Sequence, residues 1–118
     1  DLSGSRLRDA SFQRADLSGS TLASTDSFRA RFVSAKLAGA RLDGGSFVEA
    51  DFTKADLSGA SLKGADLRRT KFYRAVLKGA DLSGAKTLGA DLINADLSGA
   101  RWTDGVRICA EGSFGQCN

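Results

Sequence analysis

Large apolar residues recur along this chain at every fifth position. Steps of five from Leu2 reach 21 positions ending at Trp102, of which thirteen are Leu, five Phe and one Trp. Only Ser27 and Thr87 break the series. Two residues before each position, from Ser5 to Ala100, the residue is always small: fifteen Ala, the rest Ser, Thr or Gly. A period of five suits neither regular element, because helical cores want residues every 3.6 positions and strands every 2. Successive fifth residues on a helix would spiral around it and form no face. The pattern predicts instead a coil that returns to its axis once per repeat. Each large residue then points inward, and the small one fits where dense packing leaves no room for more.

The segments Ala55-Asp56-Leu57-Ser58-Gly59, Ala80-Asp81-Leu82-Ser83-Gly84 and Ala95-Asp96-Leu97-Ser98-Gly99 are identical. This A-D-L-S-G motif resembles the pentapeptide repeat family, and the resemblance covers about residues 1–104. It implies an all-β fold, a right-handed quadrilateral parallel β-helix with four pentapeptides, one per face, in each coil. The 21 repeats would then make about five 20-residue coils over residues 1–104, leaving residues 105–118 as a C-terminal capping tail.

Sorting core positions by 20 tests the four-fold reading. One column, the Phe face, is Phe12, Phe32, Phe52, Phe72 and Leu92. The all-Leu face is Leu17, Leu37, Leu57, Leu77 and Leu97. The Trp face runs Leu2, Leu22, Leu42, Leu62, Leu82 and Trp102, and the mixed face Leu7, Ser27, Phe47, Leu67 and Thr87. Four of the five core Phe share one column and both polar exceptions share another, so the sort organises the residues beyond the period of five. At ~4.8 Å between coils the rod would be roughly 25 Å long. Two residues after each core position the chain turns a corner. That residue is always Gly after the all-Leu face and mostly Gly after the Trp face. Type II turns, whose third residue needs φ > 0, are expected there. After the Phe face it is Arg14, Ser34, Lys54, Arg74 or Asn94, and after the mixed face Asp9, Arg29, Glu49, Arg69 or Gly89; a different turn is expected at both.

Composition narrows the chemistry. The 118 residues suit one domain, and 17 Lys+Arg against 14 Asp+Glu leave a net charge of +3. Zero His excludes any His-dependent triad, relay or zinc site within the chain. Apolar runs are too short to span a membrane. Ser, Asp and Lys recur as repeat residues without a unique constellation, and a rod packed to its axis has no cleft. No enzyme activity, catalytic residue, small-molecule substrate or cofactor is expected. Nine core-preceding positions are Asp: residues 1, 16, 26, 51, 56, 66, 81, 91 and 96. They resemble a cation ladder, but Asp readily bonds local backbone N–H groups. Arg31, Arg41, Lys36 and Lys71 interrupt the columns, so no metal is assigned.

Residues just after each core position point outward. On the all-Leu and Trp faces they are small and bland. The Phe face instead carries Val33, Tyr73 and Ile93, the mixed face Phe28, Val48 and Leu88, and the corner between Phe and all-Leu faces Arg14, Lys54 and Arg74. Apolar residues rimmed by Arg and Lys make a candidate partner surface. The competing reading is intrinsic: β-branched and aromatic residues favour extended backbone anyway. Phe28 and Leu88 also follow the two polar core positions, and a local bulge would swing them inward to fill the space beside Ser27 and Thr87.

Trp102 is large enough to cover the last core layer. Cys109 and Cys117 bracket a short loop containing Gly112 and Gly115. A disulfide closing it would contribute roughly 2–3 kcal/mol and place the chain in an oxidising, periplasmic or secreted setting; free thiols in the cytoplasm are the alternative. The tail also resembles those of some bacterial pentapeptide repeat proteins. The chain starts inside a repeat at Asp1-Leu2, so a removed leader and an open first coil are expected, and an open edge invites pairing with another chain. The leading function is a structural or protein-interaction scaffold, self-associating end to end into dimers or fibres. Some family members resemble DNA and protect type II topoisomerases; that alternative needs a strongly negative rod, which +3 disfavours. Nucleic-acid binding through Arg14, Arg29, Lys54, Arg69 and Arg74 is a third reading, disfavoured by interleaved acids.

Overall fold

Five-residue repeats build a coil only if each repeat disposes of its five backbone amides. The computed structural model, which describes residues 1–118, shows how. In a representative repeat the Leu37 N–H donates to Asp56 O at 2.7 Å and the Gly39 N–H to Ser58 O at 2.9 Å, both in the next coil. The Ala40 N–H closes the corner on Leu37 O at 3.0 Å, and the Lys36 N–H reaches back to Ala15 O at 2.9 Å. That leaves the amide of the outward residue. Where the core-preceding residue is Asp, its Oδ1 accepts this fifth N–H, as from Ser58 to Asp56 at 3.0 Å. All nine Asp positions do so, at 2.9–3.4 Å. Backbone polar groups demand such pairing, and this is what the recurring Asp supplies.

The result is a parallel β-helix. Regular bridges join every core-preceding residue from Arg6 to Asp81 to the one 20 positions on, as in Arg6 to Asp26, Asp26 to Ser46, Ser46 to Asp66 and Asp66 to Lys86. The core is a cluster of 26 buried residues, nearly all of them the repeat's large residues and small alanines. Phe12, Phe32, Phe52 and Phe72 stack with ring centroids 5.2, 4.7 and 5.3 Å apart and planes within 9° of parallel. Leu92 continues the column, half-buried against the cluster. Ser27 is fully buried and satisfied by the Thr25 hydroxyl at 2.9 Å.

The corners differ from expectation. Arg14 and Arg74 have φ of 60° and 56°, and Asp9, Arg29, Ser34, Glu49, Lys54, Arg69 and Asn94 fall in the same region. Every corner from Gly4 to Gly99 thus has the positive φ of a type II turn at its third residue, glycine or not. The ladder imposes this. Arg14 and Arg74 must aim their N–H groups at Val33 O and Ile93 O, both at 3.0 Å, just as Gly39 aims at Ser58. Left-handed geometry costs a non-glycine residue about 1–2 kcal/mol. The corner and ladder hydrogen bonds, at about 0.5–1.5 kcal/mol each, offset it.

The extents are 34 × 25 × 23 Å, so the near-square cross-section is as wide as the coils were expected to be tall. The longest dimension exceeds that expectation because the tail folds beyond the last coil. After Trp102 the chain reverses, and Ile108 bridges Arg101 and Phe114 bridges Asp96 in antiparallel fashion. Trp102 is half-buried against the core, Cys109 is 2% exposed, and a Cys109–Cys117 disulfide closes the tail with Cα atoms 4.8 Å apart.

Candidate interaction surface

In a solenoid whose interior is filled, distinctive chemistry lies outside. The turns at Phe28 and Leu88 are regular: Ala30 N–H bonds Ser27 O at 3.0 Å and Ala90 N–H bonds Thr87 O at 2.9 Å. Neither side chain swings inward. Leu88 is 77% exposed, and Phe28 is half-buried because the guanidinium carbons of Arg8 and Arg29 lie 5.4 and 5.0 Å from its ring centre. Such cation–π contacts hold an outward aromatic at the surface. Ile93 is 59% exposed, and Val33 and Tyr73 are half-buried, with the Arg74 guanidinium 5.4 Å from the tyrosine ring. Arg14, Lys54 and Arg74 are exposed.

Val48 does not belong to this surface. It is 8% exposed, because the larger Phe28 and Arg68 stand one coil below and one coil above it in the same outward column. Columns spaced ~4.8 Å apart let large neighbours shield a small one. The candidate residues therefore form two groups. Leu88 and Ile93 lie near the upper rim, and Phe28 sits lower among arginines.

Between the two faces runs a shallow charged groove lined by Arg29, Arg31, Glu49, Asp51, Arg69 and Lys71. Arg29 and Arg69 both reach Glu49, at 3.3 and 3.4 Å. Exposed pairs like these contribute little stability, but they hold the groove's charges in alternating rows. Sorting by 20 shows the alternation in the sequence, in Asp9-Arg29-Glu49-Arg69 and Arg31-Asp51-Lys71-Asp91, although the apolar columns carry no sign of it. The exposed tail residues Val106, Ile108 and Phe114 lie outside the repeat, so its period carries no signal for them.

The acidic side chains are engaged. The Arg68 guanidinium holds the Asp66 carboxyl below the usual carboxylate range, and Arg8 does the same for Asp26. Asp16 is lowered by the Ser18 amide and Asp104 by those of Arg107 and Val106. At Asp81 and Asp96 partial burial is the largest influence and pushes upward. The hydroxyl and amide of Ser83 or Ser98 and nearby cations outweigh it, so both end lowered. No helix of the chain is long and apolar enough to cross a membrane.

The pentapeptide-repeat family model matches in 8 copies over residues 1–26, 30–69, 50–86 and 70–104. The chain belongs to the pentapeptide repeat family. Among solved structures it is similar to HetL, a pentapeptide repeat protein involved in heterocyst differentiation regulation from the cyanobacterium Nostoc sp. strain PCC 7120. The two are 36% identical over 87% of this chain and 51% of that one, with a TM-score of 0.66. It is likewise similar to a pentapeptide repeat protein from the cyanobacterium Cyanothece 51142, 31% identical over 73% of this chain and 58% of that one, with a TM-score of 0.72. The chain thus spans about half the length of these pentapeptide repeat proteins. None of the curated proteins matches it.

Proposed function

We propose that this pentapeptide repeat scaffold, wound as a right-handed solenoid of about five coils, is a non-enzymatic protein-interaction module that uses its Phe and mixed faces. The exposure of Leu88 and Ile93, 77% and 59%, carries the reading. Tyr73, Arg14, Lys54 and Arg74 extend that surface, whereas the all-Leu and Trp faces present mostly small residues. A protein partner with apolar contacts and an acidic rim fits it. The Cys109–Cys117 disulfide supports an oxidising, periplasmic or secreted setting.

Topoisomerase protection by DNA mimicry is less favoured. It needs a dense negative surface, whereas the net charge is +3 and several carboxylates are tied to arginines. The same interleaving weighs against nucleic-acid binding through the basic corners. A photo-cross-linking residue at position 73, compared with one at Lys78 on the all-Leu face, tests the proposal. Cross-links to another protein from position 73 alone support it. Equal cross-linking from both positions, or cross-links only to further copies of this chain, would replace it with non-specific contact or end-to-end self-association.

A further inference from the structure

The tail covers only part of the last coil's upper rim. Above the all-Leu face and the start of the Trp face, Leu97, Gly99 and Trp102 donate their N–H groups to Ser113 O, Cys109 O and Arg107 O at 2.8, 2.9 and 2.8 Å. The tail rounds the corner there with a turn of its own, in which the Ser113 N–H bonds Ala110 O at 3.1 Å and Gly112 has φ of 83°. It then passes the corner between Leu92 and Asn94, where a Cβ on Gly115 would lie 3.6 Å from the Leu92 carbonyl oxygen and 3.9 Å from the Asn94 nitrogen.

The rim from Ala85 to Leu92 carries no such strand. One coil below, Leu67, Arg69 and Phe72 donate upward to Lys86, Leu88 and Asp91 at 2.7, 2.9 and 2.7 Å. Their counterparts Thr87, Gly89 and Leu92 have no acceptor, and the carbonyls of Ala85 and Ala90 have no donor. Leu88 stands beside them, 77% exposed.

The geometry points to strand addition at this rim: an acidic segment of a protein partner, bent at a glycine, lies along Ala85–Leu92 in line with the tail. Three observations choose this occupant. The rim is continuous with one that already holds an added segment, so its hydrogen-bonding pattern is known to accept one. The added segment must bend at the corner formed by Thr87 to Ala90, as Glu111-Gly112 lets the tail bend over the corner formed by Leu97 to Ala100. The charges alongside are mostly cationic: Lys71, Arg74 and Lys86 form no ion pair, against one similarly unpaired acid, Asp91. Apolar residues of the segment would cover Leu88 and half-buried Leu92. The inference shares Leu88 with the proposed lateral surface but goes beyond it, since recognition here is through the backbone edge.

The test is amide hydrogen exchange on the full disulfide-bonded chain, with millimolar Val-Ser-Ala-Glu-Gly-Ser-Val-Glu peptide and its Lys-for-Glu counterpart. In the free chain the amides of Thr87, Gly89 and Leu92 should exchange freely, while those of Leu67, Arg69 and Phe72 are protected. The Glu peptide should slow the first three by about tenfold or more, and the Lys peptide should not. Leu88→Glu and Lys86→Glu should each weaken the effect, both being at exposed positions. Lys54→Ser, on the lateral surface and well below the rim, should leave it unchanged, which separates this inference from the lateral-surface reading. Three results would overturn it: no protection by the Glu peptide, equal protection by both peptides, or amides at 87, 89 and 92 already protected in the free chain, whether by its own residues or by a second copy.

Discussion

Gly45 and Phe47 are a fitted pair. A Cβ built on Gly45 would sit 2.6 Å from Phe47 Cε2 and 3.1 Å from its Cζ. Gly45 holds the small position that is Ala in fifteen other repeats, and Phe47 is the one Phe in the mixed-face column. The Phe47 ring leans across the core, its centroid 6.2 Å from that of Phe32 and 5.7 Å from that of Phe52 at planes tilted by 60° and 56°.

Gly45→Ala should therefore destabilise the chain by about 1–3 kcal/mol, the usual cost of overpacking, even though replacing Gly ordinarily stabilises by about 0.4–1 kcal/mol at a compatible backbone. Adding Phe47→Leu should recover most of the loss. Urea unfolding midpoints of the single and double variants measure this. A Gly45→Ala chain as stable as the parent would show that the ring has room to move.

Gly59→Ala isolates a different effect. Gly59 has φ of +65°, yet nothing lies within 4 Å of an added Cβ. The expected cost is about 1–2 kcal/mol from backbone geometry alone, and no second-site core change should restore it. The converse variant, Arg14→Gly, relieves that strain at a non-glycine corner. It should leave the urea midpoint unchanged or raise it slightly, since glycine's greater freedom in the unfolded chain opposes the gain.

These corners show where sequence reading stops. The period of five, the sort by 20 and the Phe column are imposed by burial, which acts on side chains and so leaves its mark on residue type. The positive φ at Arg14 and Arg74 is imposed by the hydrogen-bond ladder, which acts on the backbone and is blind to the side chain there. Gly at other corners is a relief of strain and not a requirement of the turn. The placement of Phe28 and Leu88 likewise rests on the backbone. Their exposure depends on the turn staying regular beside Ser27 and Thr87, and Thr25 keeps Ser27 content in the core. The shielding of Val48 depends only on the size of its column neighbours, Phe28 and Arg68, and is legible in the sequence.

Acid should destabilise the fold over a defined window. Asp16, Asp26, Asp66, Asp81, Asp96 and Asp104 all have folded pKa values below their ordinary range. A depressed carboxylate stabilises the fold above its unfolded pKa, about 3.9 for Asp, and that contribution fades as pH falls through the folded value. Melting temperatures should stay level from pH 8 to about pH 5 and then fall steadily below about pH 4. Arg8 and Arg68 are shifted upward, so their contribution persists until strongly alkaline pH. A melting temperature that rises on acidification would contradict this assignment.

Replacing both Cys109 and Cys117 with Ser should remove about 2.5 kcal/mol, the loop-closure contribution of a disulfide spanning 8 residues. The loss should be local at first. Amides of Leu97, Gly99 and Trp102, which bond the tail, should lose exchange protection, while those of Leu57 and Gly59, bonded to Val76 and Lys78, keep it. Uniform loss of protection would mean that the tail holds the whole solenoid together.

The stacking of residues 20 apart underlies everything above, and a distance between two exposed corners tests it most directly. Arg14 and Asn94 lie in one column, four coil steps apart. Spin labels at Arg14→Cys and Asn94→Cys should give one narrow distance peak at about 20 Å, four times the strand-like spacing. A broad distribution, or a peak beyond about 30 Å, would mean that the coils do not stack in this register.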